Sequence, residues 1–89
     1  MNGPVPSDAV LDRLAAALAE ERRALLDHDV ELLVRSTQDK LAALRALEAE
    51  VPGDQQTRLA ELAEANRSNG ALLARRRREV NWALRHLGR

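Results

Sequence analysis

Apolar residues recur with helical spacing along the first half of the chain. Their positions are Leu11, Leu14, Leu18, Leu25, Leu26, Leu32, Leu33, Leu44, Leu47 and Val51. They fall on one side of a wheel with 3.6 residues per turn, which is typical of an amphipathic helix. Ser7 or Asp8 can cap the start of this helix, and Pro52-Gly53 ends it. The pattern therefore predicts one helix from about residue 8 to 51.

A second helical pattern follows the Pro-Gly turn. Its inward positions alternate three and four residues apart, at Leu59, Leu62, Asn66, Asn69, Leu73, Arg76, Val80, Ala83 and Leu87. This is the spacing of a coiled coil, and it predicts a second helix from about 54 to 87, capped by Asp54. A connection as short as 52–54 makes neighbouring helices antiparallel. The predicted fold is thus all-α: residues 1–89 form a single domain, a long antiparallel, coiled-coil-like helical hairpin.

Folding the chain at this turn predicts which residues face each other. Leucines then oppose leucines in the pairs Leu47 with Leu59, Leu44 with Leu62, and Leu18 with Leu87. Polar residues match as well: Asn69 lies opposite Ser36, Asn66 near Asp39 and Lys40, and Arg76 or Arg77 beside Asp29. We expect two polar layers in the interface, where amides set register and partner choice. Gly70, costly within a helix, suggests a close backbone approach or local flexibility.

Asp29 admits a second interpretation. It can cap a separate helix that begins at Val30, with a bend between Leu26 and Asp29. Both interpretations, the continuous and the bent first helix, stay open, and either one preserves the hairpin.

The first helix carries more apolar surface than one partner helix can cover. Val30, Val34 and Leu41 lie beyond the edge of its main stripe. We expect either a second copy of the hairpin, which would complete a bundle as a homo-oligomer, or a client protein to cover them.

Composition points to binding and not to catalysis. The 89 residues are rich in Leu and Ala and contain one aromatic residue, Trp82, and no cysteine. His28 and His86 are far apart, and no pairing of a nucleophile with a base, no metal-ligand spacing and no glycine-rich phosphate loop is present. We therefore expect no enzyme activity, no metal and no cofactor. The chain has no export signal and no run of about 20 apolar residues, so we expect a cytoplasmic protein that is not inserted in a membrane.

Charge is distributed unevenly although the net charge is zero. Residues 67–89 carry seven arginines and one acid, whereas residues 1–66 are acidic overall. The arginines of 75–78 can pair with Glu21, Asp27 or Asp29, or can face a protein partner. Nucleic acid is disfavoured because the arginines do not form one stripe. Trp82 should point outward. The candidate partner surface on the second helix is Leu72, Arg75, Arg78, Trp82 and Arg85.

Three segments together resemble the FlgN family of flagellar type III export chaperones. They are Thr37-Gln-Asp-Lys40-Leu-Ala-Ala-Leu44, Leu62-Ala-Glu-Ala-Asn66-Arg-Ser-Asn69-Gly70-Ala-Leu72-Leu73, and Ala83-Leu84-Arg-His-Leu87. The most specific part is Asn-x-x-Asn-Gly-x-Leu-Leu. Asn66, Asn69, Gly70, Leu72 and Leu73 match the motif, which does not make them client contacts.

The resemblance implies an all-helical cytoplasmic chaperone without ATPase activity. Such a protein binds hook–filament junction proteins and delivers them to the export apparatus. Family members usually continue beyond the second helix with a segment that carries much of the client contact, and this chain ends at Arg89. The alternative function is a structural coiled-coil adaptor in another assembly.

Overall fold

The computed structural model describes residues 6–49 and 53–88, and three α-helices occupy nearly all of them. Helix α1 spans Pro6–Asp27, α2 spans Val30–Ala49, and α3 spans Gln56–Leu87. No strand occurs in the described part of the chain, so the predicted all-α class is confirmed. Helix α1 begins two residues earlier than predicted, because proline is tolerated in a first helical turn. None of the described helices is long and apolar enough to cross a membrane.

The prediction of one helix from 8 to 51 is wrong, because the chain breaks at His28 and Asp29. His28 has a φ of 56°, and the Asp29 amide donates to the Ala24 carbonyl at 2.9 Å. This is the hydrogen bond of a Schellman motif, which ends a helix. The Asp29 carboxylate then accepts the Leu32 amide at 3.0 Å. The alternative interpretation, Asp29 as the cap of a helix starting at Val30, is therefore confirmed.

The two-residue break folds α1 and α2 into an antiparallel hairpin, so the tight connection lies at 28–29. Glu21, late in α1, contacts Thr37 and Lys40, early in α2. Residues 50–52 lie outside the described residues, and with them Val51 at the predicted end of the first helix and Pro52 of the predicted turn. Gln55, not Asp54, occupies the position before α3, and its side chain makes no capping hydrogen bond.

Helix α3 runs parallel to α1 and packs along it. Hydrogen bonds join Asp8 to Gln55, Arg22 to Ser68 and Glu21 to Asn69, with sequence separations of 47, 46 and 48. A constant separation means that the two helices run in the same direction. Helix α1 therefore lies between α2 and α3 and contacts both.

The central position of α1 explains where the core lies. Most buried apolar side chains belong to α1, namely Val10, Leu11, Leu14, Ala17, Leu18, Ala24 and Leu25. Leu18 packs with Ala43 of α2 and with Leu62 and Ala65 of α3. The predicted pair of Leu18 with Leu87 is wrong, since Leu87 is 81% exposed. The pairs nearest the turn, Leu44 with Leu62 and Leu47 with Leu59, do line one groove.

Helix α3 continues past the end of α1. At the observed separation Asp27 lies level with about residue 74, so residues 75–88 form a projecting segment, called here the tip. At 1.5 Å per residue the tip is roughly 20 Å long. This accounts for the elongated shape of 64 × 22 × 20 Å.

The left-handed conformation of His28 yields a prediction about stability. A residue with a Cβ costs about 1–2 kcal/mol there, and glycine avoids most of this cost, less its own backbone entropy of about 0.5–1 kcal/mol. His28→Gly should therefore raise the free energy of unfolding modestly, whereas His28→Val should lower it. Urea unfolding followed by circular dichroism measures both. Equal stability of the two variants would contradict the assigned conformation.

Candidate binding groove

A groove runs between α2 and α3, with α1 as its floor. Its lower part is lined by Leu14, Leu18, Lys40, Leu44, Leu47, Leu59, Leu62, Ala63 and Asn66. Its upper part is lined by Ala24, Leu25, His28, Asp29, Val30, Leu33, Arg76 and Val80. The two hollows measure about 210 and 200 Å³. Pockets for small ligands are usually about 300–1,000 Å³, so these hollows suit the side chains of a protein partner better.

Five polar side chains form a bridge across the middle of the groove. The buried Glu21 carboxylate accepts from Lys40 Nζ at 2.8 Å, from Asn69 Nδ2 at 3.0 Å and from Thr37 Oγ1 at 3.4 Å. Asn69 Nδ2 also donates to the Leu18 carbonyl at 2.8 Å, and Lys40 Nζ donates to Asn66 Oδ1 at 3.2 Å. We call these residues, Glu21, Thr37, Lys40, Asn66 and Asn69, the polar bridge. Every helix contributes to it.

Burial makes the polar bridge sensitive to the loss of one member. The Glu21 side chain is 5% exposed and the Lys40 side chain 18%. Removing one partner of a buried ion pair leaves the other charge uncompensated, at a cost of about 3–5 kcal/mol. Among the described residues no buried side-chain polar atom lacks a hydrogen bond. The bridge is therefore complete, and it specifies how α2 and α3 sit on α1.

The sequence located the amides of the bridge but not their main partner. Asn69 is 3% exposed, as expected of an interface amide, and the predicted approach of Asn66 to Lys40 is confirmed. Asn69 binds Glu21 and the Leu18 carbonyl, while the Ser36 hydroxyl donates to the Leu33 carbonyl. The sequence pattern gives Glu21 as a possible partner of the arginines and not as an interface residue. The signal for its interface position is that it lies midway between Leu18 and Leu25, where the apolar stripe lacks a leucine.

The expected position of Arg76 beside Asp29 is confirmed, since both line the upper groove, but no ion pair joins Asp29 to an arginine within the described residues. Asp29 is occupied as the cap of α2. Arg75 and Arg76 pair with Glu79 on their own helix, at 3.5 and 3.4 Å. Asp27 approaches Arg23 at 4.0 Å, and Glu21 pairs with Lys40. A glutamate three or four residues away reaches an arginine on the same helix more easily than does an acid across the groove.

The exposed apolar stripe predicted on the first helix is present on α2. Val30, Val34 and Leu41 are 71%, 51% and 45% exposed. Val30 lines the upper groove, and the others follow it at helical spacing. The stripe thus adjoins the groove, and its role in binding stays a prediction.

The candidate residues of α3 lie apart from the lower groove. Trp82 is 57% exposed, as predicted, and its ring stacks on His86 with centroids 3.9 Å apart. Arg78 and Arg85 line the surface around Trp82 together with Asn81 and Leu84, so α3 alone forms this surface. Leu72 and Arg75 lie near the α1–α2 corner, beside Leu25 and His28.

Comparisons with known proteins return no relative: no family model, no curated protein and no solved structure matches the chain. Within residues 6–49 and 53–88, no group of three or more His, Asp or Glu side chains could hold a metal ion.

The polar bridge predicts a specific pattern of stability changes. Lys40→Met strands the Glu21 carboxylate and should lower the free energy of unfolding by about 3 kcal/mol. Adding Glu21→Leu should recover most of that loss, because an apolar pair replaces the ion pair. Glu64→Ala, which breaks the exposed pair with Arg67, is the control and should cost under about 1 kcal/mol. Urea unfolding measures all three. If Lys40→Met cost no more than Glu64→Ala, the bridge would not organise the fold.

Gly70 is exposed, and a Cβ added there would meet nothing within 4 Å. Of the two reasons that the sequence suggested for Gly70, the close backbone approach is therefore wrong, and local flexibility stays a prediction. Gly70→Ala should raise the free energy of unfolding by about 1 kcal/mol, and the reverse change at its exposed neighbour, Ala71→Gly, should lower it by a similar amount. Thermal unfolding compares the two variants. A destabilising Gly70→Ala would show that the helix needs glycine at this position.

Proposed function

We propose that this protein is a helical chaperone of the flagellar export type. In this proposal it binds a helical segment of a hook–filament junction protein in the cytoplasm and delivers it to the export apparatus. The observation that carries the proposal is the open groove between α2 and α3. The resemblance to the FlgN family supplies the class of client.

The groove has the shape and chemistry to receive a helix. Three helices with α1 in the middle leave the fourth position of a four-helix bundle vacant, and that position is the groove. An amphipathic helix binds such a groove through apolar residues spaced three, four and seven apart. The two apolar hollows would take its leucines, and the stripe of Val30, Val34 and Leu41 would widen the contact.

The polar bridge gives the groove a means of selecting among helices. A lysine ammonium has three donors, and Lys40 uses two of them on Glu21 and Asn66. A client helix that places an acceptor between its apolar residues would satisfy the third donor. A uniformly apolar helix would bury that donor without a partner, which costs about 1–3 kcal/mol. The motif residue Asn66 therefore has a proposed role at the client face, whereas Asn69 supports the fold.

The exposed side of the tip would serve the second step of the proposed function, delivery to the export apparatus. Arg75, Arg78, Trp82 and Arg85 would contact the export apparatus, since Trp and Arg are the residues most enriched at protein interfaces. Client and apparatus would then bind at different places on the chain.

A matched pair of variants tests the groove. Ala63 is exposed and lines the lower groove, while Ala60, one helical turn earlier, is exposed and lies outside the groove lining. Ala63→Arg should obstruct a client helix without removing any core contact, and it should weaken client binding at least about tenfold, or ~1.4 kcal/mol. Ala60→Arg should leave binding unchanged. The measurement is co-purification with co-expressed junction proteins, followed by titration calorimetry on the retained client.

The outcomes separate the proposed functions. Retention of a junction protein that Ala63→Arg abolishes supports the chaperone. If neither Ala63→Arg nor Ala60→Arg reduces retention of the junction protein, the client binds outside the groove. If the chain retains no flagellar component and binds another assembly, the structural coiled-coil adaptor is the better description.

A further inference from the structure

The tip of α3 carries an apolar face that is largely exposed, although Val80 at its start borders Leu25 and Val30 in the upper groove. Val80, Leu84 and Leu87 are 41%, 63% and 81% exposed. Val80 and Leu87 each lie 18 residues, or five helical turns, beyond Leu62 and Asn69, so they continue the face of α3 that packs on α1. Leu84 lies beside that face. Leu84 and Leu87 are uncovered because α1 ends at Asp27.

A second uncovered surface on α2 matches the tip in length and spacing. Val34 and Leu41 are seven residues apart, as are Val80 and Leu87, and all four are exposed. The stretch from Val30 to Leu41 is roughly 17 Å long and the tip roughly 20 Å. Two helical faces with equal apolar spacing can pack along their whole shared length.

The two surfaces also carry opposite charge. Residues 75–88 include five arginines and one acid, Glu79. The α1–α2 corner, residues 24–34, includes Asp27, Asp29 and Glu31 and no lysine or arginine. Arg77, Arg78 and Arg85 make no ion pair within the described part of the chain, and neither does Glu31. Their charges are therefore available to another molecule.

We propose that the chain forms a two-fold symmetric dimer in which the tip of each copy lies along α2 of the other. The copies meet end to end at their α1–α2 corners, so each tip runs parallel to the partner's α2. Val80 then packs on the partner's Val34 and Leu87 on the partner's Leu41. In that register residues 75–78 lie beside 29–32 of the other copy, which places arginines next to the partner's Asp29 and the partner's Glu31. Symmetry makes every contact twice.

A tip packed on the tip of another copy is a weaker arrangement. It would cover the same leucines but would bring the two arginine runs together, and like charges at close range repel. The proposed dimer instead covers two apolar surfaces and pairs opposite charges. It leaves the lower groove free but covers Val34 and Leu41, so a client bound to the dimer contacts the lower groove without the stripe on α2.

Engineered cysteines test the register, since the chain has none of its own. Val34→Cys and Val80→Cys proteins are mixed under mild oxidation, as are Leu41→Cys and Leu87→Cys proteins. Both mixtures should form disulfide-linked dimers in several-fold higher yield than the off-register mixture of Val34→Cys with Leu87→Cys. That pair is displaced by seven residues, about 10 Å, beyond the ~7 Å between Cα atoms that a disulfide spans. Val34→Cys mixed with Ala60→Cys is the control for random collision.

Light scattering on the unmodified chain provides the second measurement. The expected mass is twice 9.9 kDa. In the Val80→Asp, Leu87→Asp double variant the mass should fall toward that of one copy. These two side chains are exposed, so the helical circular dichroism should be unchanged. A single-copy mass at all concentrations would overturn the proposal. Preferential linking of Val80→Cys to itself would overturn it as well, because it would place tip against tip.

Discussion

One buried carboxylate holds the three helices in register. Glu21 lies on the face of α1 that would otherwise be all leucine, and it accepts hydrogen bonds from α2 through Thr37 and Lys40 and from α3 through Asn69. An apolar core of Leu and Ala is tolerant of sliding, because one leucine layer packs much like the next. A buried carboxylate prevents such sliding, because any shift of one helix along another leaves it buried without its hydrogen-bond partners. Because this small core consists of Leu and Ala, it depends on a polar residue to fix a single alignment of the helices.

The break at His28–Asp29 decides which helix occupies the middle. With a continuous first helix, the second helix would have a single partner, and the molecule would be a two-helix rod. The Schellman hydrogen bond from Asp29 to Ala24 and the cap from Asp29 to Leu32 stop the helix and restart it in the opposite direction. Helix α1 then gains a neighbour on each side, and its leucines, except the exposed Leu26, are the most buried leucines of the described residues. The groove exists because α2 and α3 both pack on α1, while the direct contact between them is the side-chain hydrogen bond from Lys40 to Asn66.

Periodicity predicted which segments are helical, apart from the break at His28 and Asp29 and shifts of two residues at the starts of α1 and α3, and it identified Asn69 as an interface residue. It could not predict the topology, because the apolar stripe is the same whether α3 packs on α1 or on α2. The deciding information lay in two acids that a hydrophobicity pattern counts as interruptions. Asp29 has a capping geometry that competes with helix continuation, and Glu21 occupies a core position that a hydrophobic count leaves empty. The exposed stripe of Val30, Val34 and Leu41 was found correctly, since an excess of apolar surface is a property of one helix alone.

The projection of the tip beyond α1 keeps the unevenly distributed charges of the chain apart. The sequence suggested that the arginines of 75–78 can pair with acids of the first helix, yet the tip extends beyond α1, and among the described residues its arginines pair with Glu79 alone. Charge that is balanced in sum but separated in space favours association between molecules over neutralisation within one. Two apolar surfaces accompany the separated charges. The surface at the tip lies among arginines, and the surface along α2 begins beside the acidic residues of the α1–α2 corner. A three-helix chain of 89 residues thus keeps for other molecules the surfaces that a larger domain would bury inside itself.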